Sequence, residues 1–371
     1  MTRRAVPALM TPLMTMLMIA ALLWVLPTAV TPAAVAEQGA GSGSAGLSVV
    51  NLGDSYSAGN GAGTYREKVC WRSPDNYGKQ FATKIGASYV NRACSGAVVR
   101  DLTNPTRKGA PTTVRTSYQI DPKVYDDRRA EFLRRAKRDA VCGGVPAPDM
   151  YYAYSASDWA SSGTLLTATV HCQLVVRPQV AGVTRGTDIV VLTIGGNNIG
   201  FSGIVVNCMV LRNASQCKSS IDFARKLVPT MTSAVKSALE VVHRRAPHAK
   251  ILLLSYPMLM DRTSYSIPED DPVYDAGAAL AGLQRLGDRA AADGAAALDS
   301  AYNTNVFQFV GTIKDAWAGR GLDPRRGADN TDSWLVPIGA PGRETAEFVH
   351  PKLVGWTGTA RALTKYWWQH H

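Results

Sequence analysis

Ser55 stands in the tripeptide Gly53-Asp54-Ser55, where an apolar run, Leu47-Ser48-Val49-Val50-Asn51-Leu52, gives way to a small polar turn, Tyr56-Ser57-Ala58-Gly59-Asn60-Gly61. A hydroxyl placed where a strand meets a helix start lies at the rim of an α/β sheet, beside N–H groups that can stabilise an anion. Such a position suits a nucleophile, although Ser and Gly after a strand also make ordinary turns. A base for that nucleophile is offered by Glu347-Phe348-Val349-His350-Pro351. Glu347, three residues before His350, is spaced to meet the imidazole on one side of a turn, fix its tautomer and stabilise the imidazolium formed when Ser55 loses its proton. The other histidines are less promising: His243 and His248 flank a basic helix end, His171 lies in an insertion, and His370 and His371 end the chain.

Two further turns carry groups that can meet developing negative charge. In Asn91-Arg92-Ala93-Cys94-Ser95-Gly96-Ala97 the small residues leave backbone N–H groups uncovered, and Gly96 lets an oxygen approach without meeting a Cβ. A tight turn pinned by a Cys94 disulfide explains that stretch equally well. In Thr193-Ile194-Gly195-Gly196-Asn197-Asn198-Ile199-Gly200-Phe201, Asn197 is the candidate donor, because an amide gives N–H without competing for a proton.

These segments need a frame. β-Branched runs alternate with helical patterns, which predicts a parallel sheet wrapped by helices in one doubly wound domain. Strands are expected at 48–52, 87–91, 188–194, 250–255 and 306–310. A long amphipathic helix is expected over 221–246, with Leu227, Met231, Ala234, Ala238 and Val241 recurring at helical spacing. A terminal helix opens with Pro351 at its first position and carries Leu353, Trp356, Ala360, Leu363 and Trp367 on one face.

Arg3 and Arg4 precede an apolar stretch from about Leu9 to Leu26, and Ala34-Val35-Ala36 before Glu37 has the small-x-small form of a signal-peptidase site. Residues 1–36 therefore read as a secretory signal, with an uncleaved membrane anchor as the alternative, and 37–46 as a flexible leader. Loss of Arg3 and Arg4 lowers the formal charge from +11 to +9, a solubilising excess that also permits transient contact with anionic surfaces. No nucleic-acid motif is present, and a monomer is expected. A hydrophobic fraction of 46% against 19% charged residues excludes a disordered chain.

All six cysteines follow the signal segment, at positions 70, 94, 142, 172, 208 and 217. An even number in an oxidising compartment suggests three disulfides, and of the 15 possible pairings the sequential one closes the shortest loops: Cys70–Cys94, Cys142–Cys172 and Cys208–Cys217. Neither Cys-x-x-Cys nor His-Glu-x-x-His occurs, so no metal site and no cofactor are expected.

Gly53-Asp54-Ser55, Cys94-Ser95-Gly96-Ala97, Gly195-Gly196-Asn197 and His350-Pro351, in that order, resemble the SGNH hydrolases, also called the GDSL esterase/lipase family. With Cys70-Trp71-Arg72-Ser73 they are similar to its secreted bacterial branch with three disulfides, over roughly residues 47–365. The resemblance implies a three-layer α/β/α sandwich around a five-stranded parallel sheet, flavodoxin-like in arrangement. It implies a serine esterase or lipase with Ser55 as nucleophile, His350 as base and Glu347 in the triad-acid position. The Ser55 and Gly96 N–H groups and the Asn197 side chain would form the oxyanion hole, with Asp54 holding the turn. Two residues depart from the pattern. Asn198 stands where an Asp is usual, and Glu347 replaces the commoner Asp; in some members of this branch a backbone carbonyl orients the histidine instead. No Gly-x-Ser-x-Gly elbow occurs, which disfavours the α/β-hydrolases.

The segment from about 102 to 186 is longer than the family needs. It carries a basic helix, Arg128 to Arg138, and an aromatic-rich loop with Tyr151, Tyr152, Tyr154 and Trp159, readable as a lid or as a disulfide-stapled decoration. Two other functions fit the same residues: deacetylation of a polysaccharide of the acetylxylan type, and a non-catalytic exported surface-binding module.

Overall fold

A computed structural model describes residues 46–260, 265–267 and 273–371. The signal segment 1–36 and the leader, apart from Gly46, lie outside the described residues. Ten strands are described: β1 (Ser48–Gly53), β2 (Ser88–Asn91), β3 (Thr106–Gln119), β4 (Met150–Ser162), β5 (Leu165–Val176), β6 (Ile189–Thr193), β7 (Lys250–Leu254), β8 (Ser266–Ile267), β9 (Tyr274–Asp275) and β10 (Phe307–Val310). The α-helices among the described residues are α1 (Ser55–Ala58), α2 (Tyr77–Lys84), α3 (Arg100–Thr103), α4 (Arg128–Arg138), α5 (Phe201–Val205), α6 (Ala214–Arg245), α7 (Ala276–Tyr302), α8 (Ile313–Ala316) and α9 (Leu353–His370).

β1, β6 and β7 are almost wholly buried because both faces of the sheet are covered, while the edge strand β10 buries only its ends, Phe307 and Val310. The parallel sheet runs β2-β1-β6-β7-β10. Its alternate residues divide between two cores: Val49, Val191 and Leu252 meet Tyr77, Phe81 and Trp356 of α2 and α9, whereas Val50, Leu192 and Leu253 meet Val235, Leu239 and Leu298 of α6 and α7. Numbered along the sheet alone, this is the 2-1-3-4-5 order of doubly wound proteins, and its direction reverses between β1 and β6. Loops leaving these two strands diverge there and open a crevice at the carboxyl ends of the sheet. Ser55 follows β1 and Asn197 follows β6.

Local details differ from the sequence expectation where tertiary contacts override periodicity. α6 begins at Ala214, capped by the Asn213 side chain, and its buried face is Ile221, Ala224, Val228, Val235, Ala238, Leu239 and Val242. That face is rotated from the anticipated stripe because the helix packs on α7, α5, α3 and the turns at 197–199 and 206–210 along its 32 residues. Pro351 pairs with Leu335 in a β-bridge, so α9 starts at Leu353. Tyr151, Tyr152, Tyr154 and Trp159 belong to strand β4, in an antiparallel sheet of order β3-β5-β4, and not to a loop. Phe132 and Ala136 of α4 pack on this sheet with Leu166 and Val170, and Glu131 holds Arg134 and Arg135 at 2.7 Å each. The cysteines pair sequentially, 70–94, 142–172 and 208–217. No helix among the described residues is long and apolar enough to cross a membrane.

Candidate active site

β1 delivers its last residue, Gly53, to the sheet rim at φ +115°, where a Cβ would fall 2.1 Å from the Thr193 carbonyl oxygen of β6. Only glycine fits so close an approach. Buried Gln179 clamps the same residue from the side, accepting from Gly53 N–H at 2.6 Å and donating to the Gly53 carbonyl at 2.9 Å. Asp54 then caps α1 by accepting from Tyr56 N–H at 3.0 Å, and it also accepts from the Thr193 hydroxyl at 3.0 Å and from Tyr256. Burial raises its carboxyl from 3.8 to about 6, against those hydrogen bonds. Asp54 thus holds the turn that carries Ser55.

The Ser55 Oγ lies 2.8 Å from His350 Nε2. On the other side of the ring, Nδ1 lies 2.9 Å from the Phe348 carbonyl oxygen. A carbonyl can only accept, so Nδ1 carries the proton and Nε2 keeps its lone pair facing Ser55. Burial lowers the imidazole from 6.5 to about 4, against the favourable Phe348 carbonyl and the Glu347 charge. The ring is therefore neutral at physiological pH.

Phe348 reaches the ring two residues ahead because Val349, between them, adopts φ +58°. For a β-branched residue that is a strained conformation, costing about 1–3 kcal/mol. Surrounding bonds enforce it: Val349 N–H donates to Val336 O at 2.9 Å, Val336 N–H donates to His350 O at 2.8 Å, and the Tyr56 hydroxyl donates to Val349 O.

Glu347 does not occupy the triad-acid position. Its buried carboxylate accepts from the Tyr65 hydroxyl at 2.5 Å and from Glu344 N–H at 3.0 Å, with Arg343 at 3.4 Å, and makes no hydrogen bond to the imidazole. Glu347 ends a 3₁₀ turn whose capping box directs its side chain back to Glu344.

The three candidate oxyanion donors follow β1, β2 and β6, at Ser55, Gly96 and Asn197. The N–H groups of Ser55 and Gly96 donate no hydrogen bond among the described residues. Asn197 Nδ2 donates one proton to Ala97 O at 2.9 Å and retains a second. The Gly96 turn is pinned as the disulfide reading expects: Cys94 is disulfide-bonded to Cys70, Ser95 N–H donates to Cys70 O at 3.0 Å, and Cys94 N–H donates to Gly53 O at 3.0 Å. Gly96 has φ +75° and a Cβ there would meet no atom within 4 Å, so conformation rather than crowding calls for glycine. Asn198 supports the loop with its amide oxygen, which accepts from Val99 N–H at 3.0 Å as a carboxylate would. Gln179, Tyr56 and Tyr256 had no signal in the sequence, because each acts through a partner more than 100 residues away.

No family model matches the chain. Among curated proteins it is similar to a lipase of Streptomyces rimosus, 34% identical over 84 residues, which is 22% of this chain and 31% of that one. It is also similar to two lipases of Streptomyces coelicolor: Lipase 2, 25% identical over 59% of this chain and 55% of the relative, and Lipase 1, 31% identical over 44% and 59%. The matches thus span from about a third to six-tenths of the relatives' length. Two solved structures share the fold: phospholipase A1 from Streptomyces albidoflavus NA297, with a TM-score of 0.54, and an extracellular lipase from Streptomyces rimosus, with 0.55. Each is 21% identical, and the match covers 86% of this chain and 99% of that one. The parallel sheet is the fold shared with these two structures, and the four motif segments, in order along the chain, resemble those of the SGNH hydrolases.

Proposed function

We propose that the protein is a secreted serine hydrolase of carboxylic esters, of the lipase type, working through an acyl-serine intermediate. The 2.8 Å contact between Ser55 Oγ and His350 Nε2 carries this reading. Oγ attacks the ester carbonyl as Nε2 takes its proton, and the Ser55, Gly96 and Asn197 N–H groups stabilise the oxyanion. The tetrahedral intermediate then collapses, the alcohol leaves with the proton from Nε2, and water repeats the sequence on the acyl-serine. The Phe348 carbonyl orients the imidazole, and the Glu347 charge favours the imidazolium from farther away.

Lipid esters are supported as substrates by the names of the similar proteins, three lipases and a phospholipase A1. Export is supported by the three disulfides and by the signal-like sequence of residues 1–36. The chain works as a monomer in this reading, with its basic surface available to anionic interfaces.

A fluorophosphonate probe should label the wild type and spare Ser55→Ala, and Ser55→Ala should hydrolyse no p-nitrophenyl ester while melting at the wild-type temperature. Hydrolysis surviving in Ser55→Ala would refute the assignment. Acyl esters of graded length compared with acetylated xylan separate a lipase from a polysaccharide deacetylase, and an unlabelled wild type would indicate a binding module.

A further inference from the structure

A cleft enclosing about 1280 Å³ not filled by protein atoms, its open mouth included, lies between α6 and α7 above the face of β7 and β10. It exists because α7, AGAALAGLQRLGDRAAADGAAALDSAY, is built from small residues. Near Gly294 the two helices are close, and a Cβ would make ordinary contact with Lys236 Cγ at 3.5 Å and Thr232 Cγ2 at 3.6 Å. At Gly287, two turns earlier, a Cβ would meet nothing within 4 Å, and the cleft stands open opposite Met231 and Val235. Most polar side chains on its wall are engaged with protein partners: Asp288 with Ser255 at 2.8 Å and Lys314 at 2.7 Å, Gln284 with the Tyr256 carbonyl at 2.9 Å, and Thr232 with the Val228 carbonyl at 2.9 Å, while Lys236 makes no hydrogen bond or ion pair among the described residues. The rest of the surface is apolar and suits an apolar chain.

The cleft shares a wall with the candidate active site. Gly196, adjacent to Asn197, lines it, as do Phe201 and Tyr256, whose rings pack edge-on against Tyr56 at 5.9 and 5.4 Å. Tyr256 accepts from Gly196 N–H at 3.1 Å and donates to Asp54, the residue before Ser55. An ester with its carbonyl oxygen toward Asn197 and its leaving oxygen toward His350 has one remaining substituent, the acyl chain. Ser55, Asn197 and His350 do not themselves line the cleft; Gly196, beside Asn197, brings its wall next to the oxyanion side of that ester, and no residue of its wall neighbours His350 in sequence.

We infer that the α6–α7 cleft is the acyl-chain site and that it makes the protein selective for medium and long straight-chain esters over acetyl esters. The inference rests on Ser55 being the nucleophile. Each buried methylene should raise kcat/KM about fourfold until the cleft is filled.

Gly287→Leu places a branched side chain in the open part of the cleft, and replacing a helix-interior glycine favours the helix. The ratio of kcat/KM for p-nitrophenyl decanoate to that for p-nitrophenyl acetate should fall by about tenfold or more in Gly287→Leu. Gly287→Ala, with a single methyl, should stay within about threefold of wild type. A second arm needs no turnover: Ser55→Ala protein should bind cis-parinaric acid saturably, and adding Gly287→Leu should weaken that binding by about tenfold, with circular dichroism and melting confirming the fold of each variant. An unchanged decanoate-to-acetate ratio in folded Gly287→Leu, or no parinarate binding by Ser55→Ala, would overturn the inference and leave the hydrolase reading intact. Failure of the wild type to cleave any ester would instead overturn the hydrolase reading, and the parinarate titration would still decide the cleft.

Discussion

The imidazole of His350 is held at Nδ1 by the main-chain carbonyl of Phe348, 2.9 Å away, while the neighbouring carboxylate of Glu347 faces Tyr65. A peptide dipole replaces an acid side chain as the orienting group, and the strained backbone of Val349 aims it. The histidine is therefore positioned by chain conformation, and loss of one side-chain charge leaves its tautomer in place.

Glu347→Gln should accordingly lower kcat by less than about tenfold. Where a carboxylate directly holds the catalytic imidazole, the equivalent amide substitution costs about 10⁴. Steady-state kinetics on a p-nitrophenyl ester decides the matter, and a drop of three orders of magnitude or more would restore Glu347 to a triad role.

In the proposed mechanism the depressed pKa of His350 sets the acid limit of activity. The general base must be neutral, and burial moves its protonation from 6.5 down to about 4. Hence kcat/KM should hold as pH falls through 6.5 and decline only near pH 4. A profile from pH 3 to 8, with enzyme integrity checked at each point, tests this. A limb centred near 6.5 would show that burial does not govern the ring.

Asp54 gives the opposite sign for stability. Its carboxyl is raised from 3.8 to about 6 in the fold, so between these values the folded state holds a proton that the unfolded chain releases. Stability contributed by the protonated form is lost as pH rises through that window, by roughly 2–3 kcal/mol in total. In Asp54→Asn that component disappears. Urea denaturation of both proteins at pH 4 and pH 7 should show a smaller loss with rising pH in the variant, and equal losses would count against the raised carboxyl.

Arg72 and Asp149 form a buried bidentate pair, 2.7 and 2.8 Å, tying the start of β4 to the chain between Cys70 and Cys94. Arg72 also donates to Ala93 O at 2.8 Å, just before the Gly96 turn. Asp149→Ala removes the bidentate carboxylate and leaves the buried guanidinium only Glu67, at 3.6 Å, as an ionic partner, and should cost about 3–5 kcal/mol. Replacing both partners in a Glu67→Gln background, Arg72→Met with Asp149→Leu, should cost less, since no buried charge is then stranded. Equal losses in the single and double variants would show that packing rather than ion pairing dominates.

Oxyanion stabilisation can be probed separately. Asn197→Ala removes one donor and should reduce kcat by about 10²–10³ with little change in KM. Because Asn197 also bonds Ala97, the melting temperature should be measured alongside; an unchanged kcat would remove Asn197 from the oxyanion hole.

The five strands of the parallel sheet were legible in the sequence to within about a residue or two at each end, as was the disulfide pairing, and Ser55 and His350, singled out 295 residues apart, lie 2.8 Å from one another. These are written in local patterns: apolar runs, glycines at turns, and cysteines close enough to pair sequentially. What the sequence could not determine lies in long-range choices. Glu347 had the right spacing for His350, yet Tyr65 and the backbone of Glu344 claimed its carboxylate. The aromatic segment at 151–159 had no visible strand partner until β5 aligned beside it. The left-handed turn at Val349, which directs the Phe348 carbonyl to the imidazole, runs against the preference of a β-branched residue. Tertiary contacts impose it, because the bonds to Val336 and Tyr56 outweigh a local cost that the residue alone would avoid.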